Sequence, residues 1–299
     1  MAAMTDWPAA HATLLPWFAA TARDLPWRQD REPWGILVSE VMGQQTPMVR
    51  VVPRWLEWME RWPTPAALAA ADPAEVLRAW DRLGYPRRAL SLQLAAQRIV
   101  EQHDGVVPPD PESLLSLPGV GTYTAAAVRS FAFRARDAVL DTNVRRGLTR
   151  LHGEARPGAS ITRGEAARAE SALPEDPEDA ATWNEALMEL GATVCVKNPR
   201  CGSCPLADLC AWRAADYPES ELPAARTQAW VGTDRQARGR IMALLRATDV
   251  EWVSVDEALG VARVSSDVGQ AERALAGLAA DGLVTVAEAE AEARVRLGG

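Results

Sequence analysis

Along the first two thirds of the chain, apolar positions recur at helical spacing, and no strictly alternating run occurs before about residue 220. This pattern predicts helix after helix. Val76, Trp80 and Leu83 mark one such face behind Asp72-Pro73, a cap residue followed by proline at the first helical position. Asp110-Pro111 opens another helix, and the alanine-rich stretch Thr122 to Arg134 forms a third. Pro63, Pro65, Pro108, Pro109 and Pro118 punctuate helices rather than strands. From Tyr217 to Pro223 the chain turns polar and proline-bearing, which reads as a linker over residues 217–226. Beyond it, helices are predicted near 234–247 and 268–281. Val284-Thr285-Val286 and Arg294-Val295-Arg296-Leu297 read as two short strands around a turn. Helices followed by a hairpin predict a small winged-helix-like module over residues 227–299. There are no convincing internal repeats.

Composition narrows the function classes. At about 150 residues per domain, 299 residues suggest about two domains. A content of 48% hydrophobic and 24% charged residues fits a globular chain and excludes a disordered tail or a fibre. No apolar run approaches the roughly 18 residues of a membrane helix. Met1 to Pro16 lacks a basic stretch followed by an apolar core, so no secretory signal and a cytoplasmic location are expected. Four cysteines do not make a disulfide scaffold in a chain this long. There are 31 arginines and one lysine, Lys197, so a nucleophilic lysine has one candidate. His11, His103 and His152 are scattered and suit neither a histidine metal site nor a Ser-His-Asp constellation. The formal charge of −8, of which residues 227–299 carry −3, argues against a partner held by bulk charge unless the distribution overrides the total.

Leu117-Pro118-Gly119-Val120-Gly121-Thr122-Tyr123-Thr124-Ala125 carries the sharpest local signal. A helix ends, the chain turns on Gly119 and Gly121, and a new helix begins. Glycines let the backbone turn tightly and approach a ligand. The new helix aims its free N–H groups and positive dipole end at whatever approaches, which suits a phosphate. Such contacts position a nucleic acid without reading its sequence.

This segment resembles the hairpin of the helix-hairpin-helix DNA glycosylases. That superfamily follows the hairpin with an essential aspartate, and Val139-Leu140-Asp141-Thr142-Asn143-Val144 matches the position. Val38-Ser39-Glu40-Val41-Met42-Gly43-Gln44-Gln45-Thr46 resembles a motif of the MutY-type adenine DNA glycosylases. The resemblance implies that Glu40 protonates the leaving adenine and Asp141 stabilises the sugar cation, a division of labour also found in glycosidases. A glutamate that donates a proton at neutral pH needs its pKa raised by burial, and Ile36, Leu37, Val38, Val41 and Met42 supply apolar neighbours. Tyr123 and Asn143 are expected to position Asp141 and the water. Arg23-Asp24-Leu25-Pro26-Trp27-Arg28 and Trp183-Asn184-Glu185 resemble base-pocket segments, implying pocket roles for Trp27, Arg28 and Glu185. Leu83-Gly84-Tyr85 resembles the loop that wedges an aromatic ring into the duplex, while Gln45 and Thr46 match positions facing the opposite purine. Pro86 stands where a second tyrosine is common, which implies a stiffer loop. Arg145, Arg146 and Arg150 follow Asp141 on a helical period, either as phosphate contacts or as a solvated face.

Endonuclease III-type enzymes share this framework but attack the sugar with a lysine at the position of Tyr123. The resemblance therefore implies a monofunctional glycosylase. The cysteines read Cys195-x5-Cys201-x2-Cys204-x5-Cys210, one residue short of the family spacing in the first gap. One central close pair with longer arms suits a [4Fe-4S] cluster on four thiolates better than zinc, which favours two close pairs. Lys197 and Arg200 in this loop are further candidates for DNA-backbone contact.

The expectation is an all-α bilobal glycosylase with a [4Fe-4S] cluster loop and a small winged-helix-like α+β module. Residues 28–137 would form a six-helix barrel with the helix-hairpin-helix. Residues 1–27 and 138–216 would form the iron–sulfur domain. Double-stranded DNA with adenine mispaired against 8-oxoguanine or guanine would bind between the lobes of a monomer. No membrane is involved, and the setting is nucleoid-associated cytoplasm. The resemblance covers about residues 10–215, so the C-terminal module stands outside it and is a candidate docking point for a repair partner. Two rival readings are a glycosylase for thymine or uracil opposite guanine and a non-catalytic iron–sulfur DNA-binding protein.

Overall fold

The computed structural model describes residues 6–223, 229–288 and 293–298. Helices dominate up to residue 214. In order they are α1 (Trp7–Thr21), α2 (Trp27–Asp30), α3 (Pro33–Gly43), α4 (Met48–Arg61), α5 (Pro65–Ala69), α6 (Pro73–Trp80), α7 (Arg87–Gln102), α8 (Pro111–Ser116), α9 (Thr122–Phe133), α10 (Thr142–Leu151), α11 (Arg163–Ser171), α12 (Pro177–Thr193) and α13 (Ala211–Ala214). One device starts many of them. A short oxygen-bearing side chain accepts a free N–H of the first turn, with proline just inside. Asp6, Thr64, Asp72 and Asp176 cap α1, α5, α6 and α12 in this way. Asp110 takes the N–H of Ser113 at 2.8 Å. The helices predicted behind Asp72 and Asp110 and across Thr122 to Arg134 are thus present, and among the described residues no strand precedes residue 253.

Contacts divide the chain into two compact units. The first comprises Met1–Glu40, Val107–Ser116 and Val120–Ala224, and the second Val41–Val106, Leu117–Gly119 and Ala225–Gly299. The core of the first unit lies among α1, α10, α11 and α12, around Leu14, Val144, Leu148, Trp183, Leu187 and Leu190. His11 and Trp7 meet the fully buried Trp183 edge-on, at ring separations of 4.7 and 6.2 Å. The second unit packs α5 and α6 on α7, with Trp58 set edge-on to Trp62 and Trp80.

The C-terminal module belongs to the second unit. It contains α14 (Asp234–Ala247), β1 (Val253–Ser254), α15 (Val255–Ala262), α16 (Gln270–Ala280), β2 (Val284–Ala287) and β3 (Arg294–Leu297). The strands form an antiparallel sheet in the order β1-β3-β2, with Val286 and Val253 both opposite Val295. Ile241, Leu245, Leu275, Leu278, Val295 and Leu297 form its buried face. The winged-helix-like expectation holds, with one strand and one helix more than predicted. Val253–Ser254 is too short to show alternation. α15 spans barely two turns, too few for a periodic pattern to stand out. The expected turn between the hairpin strands and the last residues of the expected linker lie outside the described residues.

Candidate active site and cysteine loop

Glu32 accepts the N–H groups of Trp34 and Gly35 at 2.7 and 3.4 Å and so starts α3, whose far end carries Glu40. Ile36, Leu37, Val38 and Val41 around it are buried. The Tyr123 hydroxyl donates to Glu40 Oε2 at 2.7 Å. Burial pushes the Glu40 carboxyl from 4.5 up to about 7. The Tyr123 bond opposes the shift, the Asp141 charge adds to it, and Arg28 opposes it. Glu40 as a residue is only partly buried, while its carboxyl is desolvated.

Asp141 sits at the N-cap of α10. Its Oδ1 accepts the N–H of Val144 at 2.6 Å, and its Oδ2 accepts the Asn143 amide at 2.9 Å. Burial raises its pKa, while these donors and Arg146 favour the ionised form. A helix cap and a charge beside Glu40 are therefore one residue. Asn143 stands beside Asp141 as expected, whereas Tyr123 is hydrogen-bonded to Glu40 and not to Asp141. The close approach of α12 to the start of α10 requires Gly191, where a Cβ would lie 2.6 Å from Asn143 Cβ and 2.8 Å from its carbonyl oxygen.

The pocket candidates separate. Arg28 donates to Glu189 at 3.0 Å and stands within reach of the Glu40 charge. Trp27 is half-buried in α2. Glu185 is buried and paired with Arg31 at 3.2 Å and Arg134 at 3.7 Å. Glu189, which sequence reasoning passes over, is 1% exposed and binds both Arg23 and Arg28. It lies one turn beyond Glu185 on α12, and that spacing is its only signal.

In the second unit, Tyr85 is exposed at φ 48° and Gln45 is exposed at φ 55°. Thr46 is buried and its hydroxyl donates to Leu83 O at 3.2 Å, so it holds two loops together instead of facing outward. Arg88 organises both loops. It donates to the carbonyls of Val41 at 2.7 Å, Gln44 at 2.6 Å and Gly84 at 3.0 Å. Burial lowers its pKa to about 10, which leaves it charged at neutral pH. Gly119 turns at φ +79°, and a Cβ there would lie 2.9 Å from Ser91 Cβ on α7. Gly121 has no such constraint; it precedes α9 without a side-chain cap.

Arg145, Arg146 and Arg150 all have partners within the protein, so they do not form a freely solvated face. Arg145 pairs with Glu165 at 2.5 Å. Arg146 donates to the carbonyls of Cys195 at 2.6 Å and Gly191 at 2.6 Å. Arg150 is buried and donates to Val196 O at 2.8 Å and Lys197 O at 3.1 Å, with Nη1 3.3 Å from Cys195 Sγ. Arg146 and Arg150 tie α10 to the loop that follows α12, whereas Arg145 ties it to Glu165 of α11 and to the carbonyls of Gly158 and Ser160.

Cys195, Cys201, Cys204 and Cys210 line one cavity together with Arg150, Pro199 and Trp212. Each of the other three raises the Cys204 thiol pKa. Burial is the larger cause, and together they push it up to about 11. Backbone N–H groups of Leu206, Trp212 and Arg213 point at the sulfurs of Cys204 and Cys210. Among the described residues no three ligand-type side chains converge tightly enough for a single metal ion. Four thiols spread around one cavity, with N–H donors to sulfur, fit a multi-atom cluster.

Residues 38–169 match the HhH-GPD superfamily of base excision DNA repair proteins, and residues 197–210 match the iron–sulfur binding domain of endonuclease III. Adenine DNA glycosylase of Mycobacterium tuberculosis is 52% identical over 91% of this chain and 89% of its own length. That of Mycolicibacterium smegmatis is 49% identical over 96% and 95%. A solved thermostable thymine-DNA glycosylase covers 70% of this chain and 97% of its own, at 26% identity and a TM-score of 0.64. The higher identity over nearly the whole chain disfavours the pyrimidine reading. With its paired carboxylates and iron–sulfur loop, the chain belongs to the adenine DNA glycosylases of base excision repair.

Proposed function

We propose that this protein hydrolyses the N-glycosidic bond of adenine mispaired with 8-oxoguanine or guanine in duplex DNA, acting as a monofunctional monomer in the nucleoid. The observation that carries the reading is Glu40, a desolvated carboxyl raised to about 7 beside Asp141, whose side chain caps α10. Two carboxyl groups in different surroundings divide acid and anion roles between them. The adenine leaves the stack at a cost of a few kcal/mol, least when it is mispaired. Glu40 gives its proton to the departing base as the bond to the sugar breaks. Asp141 faces the positive charge growing on the sugar. Water then adds to the sugar, and Glu40 is left ionised to take a proton back. Arg28, held by Glu189, and Trp27 border the base, with Glu185 behind them. Gln45 and Tyr85 face the opposite strand.

Tyr123 occupies the position where a lyase would need a nucleophilic lysine, and Lys197 lies in the cysteine loop. The product is therefore an abasic site with an intact strand. Cys195, Cys201, Cys204 and Cys210 hold a [4Fe-4S] cluster, which when bound cross-links the loop fixed by Arg150.

The test uses end-labelled duplexes with adenine opposite 8-oxoguanine, guanine or cytosine, plus thymine opposite guanine. Breaks at adenine that appear only after alkali are expected. Breaks without alkali would overturn the monofunctional reading, and breaks at thymine would overturn the base assignment.

A further inference from the structure

The Tyr85 loop and the C-terminal module meet at the start of α7. Arg87 pairs with Asp281 at 3.2 Å, and Asp281 also pairs with Arg238. At this junction the Arg235 guanidinium lies 4.9 Å from the Tyr85 ring centre and 5.1 Å from that of Trp230. Tyr85 is 46% and Trp230 49% exposed, and Arg235 is exposed as well. Arg235 has no ion pair among the described residues. The segment that presents it is braced. Thr233 caps α14 by accepting the Gln236 N–H, and Gln236 in turn accepts the Gly232 N–H at 2.8 Å. The Thr233 hydroxyl donates to Trp230 O at 2.8 Å, and Gln270 donates to Gly232 O at 2.9 Å.

The two rings remain about half exposed although Arg235 lies over both and Arg88 lies 5.7 Å from the Tyr85 ring centre, so packing alone leaves much of their apolar surface in water. Arg235 is exposed and makes no ion pair among the described residues, so its charge is available to an approaching anion. Aromatic platforms beside cations are what stack bases and neutralise phosphates. The same stretch of α7 carries Arg88 beneath the Tyr85 loop and Ser91 against the Gly119 turn. The patch is thus continuous with the elements already read as facing DNA.

We propose that Trp230 and Arg235 of the C-terminal module extend the DNA-binding surface from Tyr85, with Trp230 stacking on a nucleotide and Arg235 pairing with a phosphate of the bound duplex. The proposal rests on the glycosylase reading. The module then serves as part of the substrate-binding surface, with Trp230 and Arg235 as binding residues outside the chemistry.

The test is equilibrium binding of the full-length, cluster-loaded protein to an adenine–guanine mismatch duplex across a salt series, with Trp230→Ala, Trp230→Phe and Arg235→Gln. Excision by the wild-type protein is measured alongside, so that failure of the glycosylase reading is seen separately. Trp230→Ala is expected to bind about tenfold more weakly and Trp230→Phe nearly normally. Arg235→Gln is expected to lower the slope of log affinity against log salt by about one. Wild-type affinity and salt slope in both Trp230→Ala and Arg235→Gln, with melting temperatures unchanged, would overturn the proposal.

Discussion

Glu40 and Asp141 share one desolvated neighbourhood and differ in what their oxygens accept. Burial raises both. Asp141 opens a helix and collects the Val144 N–H and the Asn143 amide, donors that favour its charge. Glu40 lies near the end of a helix whose N–H groups are already used, and it has one phenolic donor. Position within a helix thus separates an acid that keeps its proton near neutrality from an anion. The order could not be reversed without moving a helix start.

The largest expected effect comes from making Glu40 unable to donate. Glu40→Gln should lower single-turnover adenine release by about 10² to 10⁴ while mismatch binding persists, as measured by gel shift and quenched-flow. Asp141→Asn should lower it by about 10² to 10³ with little loss of stability, because asparagine caps a helix about as well as aspartate. Asp141→Ala, by contrast, should also cost about 1 kcal/mol in urea unfolding. A variant that lost stability and activity in proportion would make Asp141 only a cap.

Away from both carboxylates, Arg150→Met should reduce iron content and visible absorbance, and destabilise the fold by about 3 kcal/mol through its unpaired carbonyls. Equal iron content would show that the loop holds itself. Glu40 also links stability to pH. Its raised pKa means that its contribution is complete below 4.5 and is lost as pH rises through about 7. Glutamine does not ionise, so Glu40→Gln should gain about 2 kcal/mol over wild type at pH 8 relative to pH 4, a figure reduced because the residue is only partly buried. A constant difference across that range would mean an ordinary surface glutamate. The smallest effect belongs to Tyr123→Phe. Loss of its hydrogen bond should raise the Glu40 pKa further and move the alkaline limb of excision to higher pH, by less than about one unit. A limb moved to lower pH would contradict the direction of that bond.

Local patterns make much of this visible in the sequence. The helices behind Asp72 and Asp110 announce themselves by cap and proline, and the one behind Gly121 by the glycine turn before it. Glu40, Asp141 and the four cysteines stand in matched motifs. Hidden features depend on partners far apart in the chain. Tyr123 and Glu40 are 83 positions apart, and nothing near either residue indicates their hydrogen bond. Arginines are harder still. Arg88 follows another arginine and reads as solvated surface, yet it is part-buried and ties the Tyr85 loop to the Gln44 loop. Arg146 and Arg150 have an outward-looking period until the cysteine loop folds over them. In a chain with 31 arginines, residue type alone does not tell a clamp from a surface charge.

The most direct measurement is the pH dependence of kcat/KM for adenine release from an adenine–guanine duplex, which reports on the free enzyme. If Glu40 is the proton donor, kcat/KM falls about tenfold per unit above a midpoint near 7, and this limb is absent from the residual activity of Glu40→Gln. A profile flat to pH 9, or the same limb in Glu40→Gln, would contradict the central claim.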